Sequence, residues 1–212
     1  MEDKKITPQE SMAIISSMID ASKQRVAMPD LRISIMWASL TIVTAAVVLA
    51  LSLTAYAPWV NFIWFAIPVI GFPAMMLMVR KNDNRKGVKT YVDKISDGIW
   101  RIVSSIAILV TVICIVFQAA GYYGAWLSML FYAFIVVGFG AAIQGIVIEE
   151  RSYVFGGMFS AIIGFAVMAL SFCGVSLSVV WAIPLYILCF LLMFIVPAFI
   201  ISRRYNRKSV SE

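Results

Sequence analysis

The sequence predicts an all-α integral membrane protein, a six-helix transmembrane bundle built from three hairpins, with an amphipathic N-terminal cytosolic helix. Three observations predict it. First, the blocks 33–79, 102–148 and 152–202 contain no Asp, Glu, Lys or Arg and are 47, 47 and 51 residues long. A helix rises 1.5 Å per residue, so each block would run roughly 70 Å against roughly 30 Å of bilayer hydrocarbon. That is too long for one crossing and right for two with a turn. Second, the chain is 62% hydrophobic and only 13% charged, with mean hydropathy +0.95. Soluble domains are about a quarter charged. Third, all 17 Lys and Arg fall in 1–32, 80–101, Arg151 and 203–208. With each block a hairpin, those positions share one side, and the excess of positive charge there puts both termini in the cytoplasm.

Residues 1–32 read as a cytosolic amphipathic helix and linker. Thr7-Pro8-Gln9-Glu10 has the form of a capping box, with Pro at the first helical position. Met12, Ile15, Ile19 and Val26 then recur at helical spacing, and Pro29 ends the pattern. Met12, Ile15 and Ile19 are the candidate partner-docking residues. A helix packing on its own bundle fits the same pattern. The polar start and the long first apolar run do not have the form of a cleavable signal peptide.

The transmembrane domain is expected over 33–202, with spans at about 33–55, 62–79, 102–120, 126–148, 153–173 and 179–201. A cytosolic loop fills 80–101 and a basic tail 203–212. Gly121-Tyr122-Tyr123-Gly124 and the stretch from Gly174 to Ser178 have the composition of tight outer turns. Tyr56, Trp59, Tyr122, Tyr123 and Trp126 would line the outer water boundary, and Trp37, Trp100, Tyr153 and Tyr205 the inner one. In the central loop, Val88, Tyr91, Val92, Ile95 and Ile99 predict an amphipathic surface helix feeding the third span. Trp64-Phe-Ala-Ile-Pro68 and Trp181-Ala-Ile-Pro184 open two returning helices and raise the possibility of a hairpin repeat.

Chemistry is sparse. There is no His, the three Cys form no CxxC pair, and no ionisable group other than Tyr and Cys lies within a span. This argues against proton-coupled transport and intramembrane hydrolysis. No catalytic, cofactor-binding or metal site is expected, nor nucleic-acid binding from so few mixed charges. Small residues stand out instead. Gly138 and Gly145 on span four, and Gly156, Ser160 and Gly164 on span five, are candidate helix-packing positions, because small side chains let backbones approach. The same rows would serve a homodimer. Gln118 and Gln144 are candidate intramembrane polar contacts. Pro68, Pro73, Pro184 and Pro197 interrupt the second and sixth spans.

Several segments together resemble small six-span bacterial inner-membrane proteins of no assigned activity. The matching pieces are Glu10-Ser11-Met12 through Met18-Ile19, Pro68-Val-Ile-Gly71-Phe-Pro73, Lys89-Thr-Tyr91-Val-Asp93 and Gly156-Gly157. The resemblance carries over no site residues; it implies a regulatory partner, since some such proteins are encoded beside winged-helix regulators. The expected function is a non-enzymatic regulatory or scaffolding membrane component acting through its cytosolic face, with membrane lipids and a cytosolic or membrane protein as partners. The alternative is a small-solute transporter component. Six spans with Ala46 and Ala50 on the first resemble the substrate-binding subunits of vitamin transporters, although the outer turns are shorter than in that family.

Overall fold

The computed structural model describes residues 10–12, 16, 29–54, 58–83 and 91–208. These are helical apart from the turns at 120–122, 148–150 and 173–178, and contain no strand. Six helices are long and apolar enough to cross a membrane, spanning Leu31–Thr54, Phe62–Arg80, Tyr91–Ala119, Tyr123–Val147, Arg151–Phe172 and Val179–Arg204. We label them α1 to α6. Such an architecture is compatible with a multi-pass membrane protein.

Proline shapes two of them. α2 enters through a 3₁₀ segment, Pro58–Phe65, and becomes α-helical at Ala66. Pro68 therefore lies in the first α turn, where a backbone N–H has no intrahelical partner to lose. α6 widens into a π turn at Leu191–Ile195, just before Pro197. The proline ring crowds the carbonyl four residues earlier, and a wider turn relieves that clash. α4 contains a second π turn, Tyr132–Val136, with no proline in it.

The third helix differs from expectation. The surface segment and the third span form one 29-residue helix, Tyr91–Ala119. Only Gly98 weakens the helical pattern across the join, and Ser96 and Val103 on either side of it are both buried.

Aromatic contacts along α6 build much of the core. Trp64 of α2 meets Tyr186 edge-on at 5.6 Å between ring centroids; Tyr186, Phe190 and Phe194 follow at four-residue intervals. Phe134 of α4 packs on Tyr186, while Trp100 of α3 and Tyr153 of α5 pack on Phe194. Trp100 and Tyr153 thus lie against the core, whereas Tyr122 and Tyr123 are exposed. Outward faces are apolar, as at Phe155, Ile162, Ile113 and Val116. α2 is the least buried span and α4 the most.

Pairwise contacts join neighbouring helices near their ends. Trp37 of α1 meets Phe72 of α2, Ser96 of α3 meets Gln144 of α4, and Arg204 of α6 pairs with Glu150 at 3.1 Å. Phe65 of α2 also meets Trp126 of α4.

Three helices close with the same cap. The N–H groups of Tyr122, Glu150 and Val175 reach back five residues to the carbonyls of Phe117, Gly145 and Leu170. This places the preceding residue in the left-handed region. Gly121 and Gly174 fill that position at two caps with φ of 91° and 81°; Glu149 fills the third with φ of 57°. A side chain there is disfavoured by about 1–2 kcal/mol. We expect Glu149→Gly to raise stability by about 1 kcal/mol in a reversible denaturation titration of the reconstituted protein; no gain would show that the cap is not strained.

Candidate functional site

α4 and α5 approach each other to backbone contact. A Cβ built on Gly138 would lie 2.9 Å from the Gly157 carbonyl oxygen, and one on Gly157 would lie 3.0 Å from Ala142 Cα. On Gly145 it would lie 2.6 Å from the Val154 nitrogen. Even an alanine methyl would collide with backbone at these positions. The row Gly156, Ser160, Gly164 divides between two partners. Gly156 lies against α6, where a Cβ would come 2.9 Å from the Leu192 carbonyl carbon. Ser160 and Gly164 face α4: the Ser160 hydroxyl donates to the Phe134 carbonyl at 3.0 Å, and a Gly164 Cβ would lie 2.6 Å from Phe134 Cβ. Residues four apart advance by about 40° around a helix, so a row of nine residues winds from one neighbour to the next. Both π turns meet this row, Leu191–Ile195 at Gly156 and Tyr132–Val136 at Ser160 and Gly164.

α3 is held differently. Polar side chains link it to α4 along most of its length. Trp126 Nε1 donates to Gln118 Oε1, and Cys114 Sγ donates to the Ala125 carbonyl at 3.2 Å. Thr111 lies 3.8 Å from the Met129 sulfur. Tyr132 donates to the Val103 carbonyl at 3.0 Å, and Gln144 Nε2 to Ser96 Oγ at 2.8 Å. The two glutamines therefore sit near opposite ends of one α3–α4 seam. Ser96, Cys114, Trp126 and Tyr132 were not singled out as polar contacts by sequence. Trp126, eight residues from Gln118 across a tight turn, was the most readable signal among them.

Met12 is 75% exposed, while Ile15 and Ile19 lie outside the described residues. Cys114 and Cys189 are buried and Cys173 is exposed. Among the described residues no three His, Cys, Asp or Glu side chains are grouped to hold a metal ion. An open depression of about 610 Å³ lies at the α3–α4 turn, lined by Ile113, Phe117, Tyr122, Tyr123 and Ser128 among others. Its walls are mainly apolar and aromatic.

No protein family, no curated protein and no solved structure matches the chain.

Hydrogen bonds between membrane helices contribute roughly 0.6–1.7 kcal/mol each. We expect Ser160→Ala and Tyr132→Phe each to lower stability by roughly that amount, measured by denaturant titration in lipid. Ser160→Leu should cost more, because it adds bulk where α4 and α5 touch. Equal behaviour of Ser160→Ala and Ser160→Leu would contradict the close packing.

Proposed function

We propose that the chain is a multi-pass bacterial inner-membrane protein whose six spans pair as three hairpins with both termini cytoplasmic. It serves, in this reading, as a non-enzymatic regulatory or scaffolding component acting through its cytosolic face. One observation carries the proposal: charge is confined to the segments outside three charge-free apolar blocks. A helix-lined bilayer interior without strong acids or bases offers nothing to relay protons or activate water. Polar recognition is then left to the cytosolic side. There, basic residues near the surface favour anionic lipid by roughly 1 kcal/mol each, and the amphipathic N-terminal segment carrying Met12, Ile15 and Ile19 docks a protein partner.

The second reading, a small-solute transporter component, is favoured by Ala46 and Ala50. Both lie on the exposed face of α1, where small residues leave room for a helix of another protein or a second copy. The aromatic packing along α6 weighs against it, because the described core there is occupied by side chains. Saturable solute binding by the reconstituted protein would favour this second reading.

Cys173 is exposed at the end of α5 and, under the proposed topology, faces the outer side, so it provides a native probe. Intact cells should label Cys173 with a membrane-impermeant maleimide, and Cys173→Ser should abolish the signal. In the Cys173→Ser background, a cysteine introduced at Ser211 should react only after lysis; the reverse pattern would invert the topology. Removing residues 1–27 should then reduce in-membrane crosslinking to a protein partner at least tenfold. Unchanged crosslinking would eliminate the N-terminal segment as the docking element.

A further inference from the structure

The α3–α4 seam contains one acceptor that its neighbours leave unserved. Gln144 and Ser96 are each 3% exposed. Gln144 Nε2 donates to Ser96 Oγ, while Gln144 Oε1 is buried and accepts no hydrogen bond from a described residue. Exchanging the amide nitrogen and oxygen does not remove the deficit; it leaves the NH₂ group unserved instead. A buried carbonyl without a donor is costly, and native proteins resolve most such cases with protein or water.

We propose that this amide binds one resident water molecule, which donates to Gln144 Oε1 at the charged end of the α3–α4 seam. Size and charge select the ligand. Both polar side chains are almost fully enclosed, which excludes a solute of several heavy atoms. The surrounding contacts of α4 at this level are to Val103 and Trp100 at Gly140, and to Tyr153 and Val154 at Gly145. The unserved atom is a neutral carbonyl, and a neutral donor of one heavy atom meets it without a charge to desolvate. Water supplies the missing donor without charge, and the Ser96 hydroxyl offers it a second polar neighbour. The site lies about a turn inside the end of α4, within reach of the water boundary under the proposed topology.

The test is water–amide cross-relaxation on the full chain in lipid nanodiscs with ¹⁵N-labelled glutamine. The chain has four glutamines, at 9, 24, 118 and 144. Gln144→Met identifies the Gln144 side-chain signals by their loss. If that variant does not fold, single substitutions of the other three identify them by elimination. The expected result is a water cross-peak to the Gln144 amide protons with the sign of a long-lived dipolar contact. Absence of that cross-peak, or a signal arising only from proton exchange with bulk water, overturns the proposal.

Discussion

Backbone contact between α4 and α5 is the constraint on which the rest of the bundle depends. In the proposed bilayer setting, two apolar helices gain little from leaving the surrounding hydrocarbon, so adhesion comes from dispersion and hydrogen bonds at short range. Gly138, Gly145 and Gly157 remove the side chains that would hold the helices apart. Once they touch, Ser160 reaches the Phe134 carbonyl, and the Tyr132–Val136 π turn rests against Gly164. On an adjoining face of α5, Gly156 admits the α6 π turn that precedes Pro197. α5 is thus a thin central helix between two locally widened ones.

The peripheral helices are attached by other means. α3 contributes little buried surface and instead makes polar contacts with α4 from Gln118 to Ser96. Neutral hydrogen bonds of this type are modest individually but have defined geometry, so they set the helix in register without a deep interface. α2 is anchored through rings: Phe72 on Trp37, Trp64 on Tyr186 and Phe65 on Trp126. Large outward-facing side chains such as Phe155 and Ile162 are exposed, which suits a lipid surface.

The six apolar helices were legible from sequence because charge interrupts apolar runs sharply, at Arg80, Arg101 and Glu149–Arg151. The special importance of small residues on the fourth and fifth spans was legible too, as a spacing of four. Their division between α4 and α6 was not, since it depends on how the row winds around a straight helix. Neither π turn had a local signature before the partners were known: Pro197 marks one only when the preceding turn is seen to widen, and nothing in Tyr132–Val136 marks the other. Glu149 gave no hint that it occupies a position glycine fills at two other caps. The seam contacts were half visible, with Gln118 and Gln144 readable as polar residues among apolar ones and their partners hidden in separate parts of the sequence.

A leucine scan along α5, reading unfolding midpoints of the reconstituted protein, tests the central placement of this helix most directly. The account predicts two adjoining sensitive stripes, Gly156–Ser160–Gly164 and Gly157–Ala161. It predicts tolerance at Phe155, Met158, Ile162 and Phe165, which are exposed. Uniform tolerance along the helix, or sensitivity confined to the exposed positions, would contradict it.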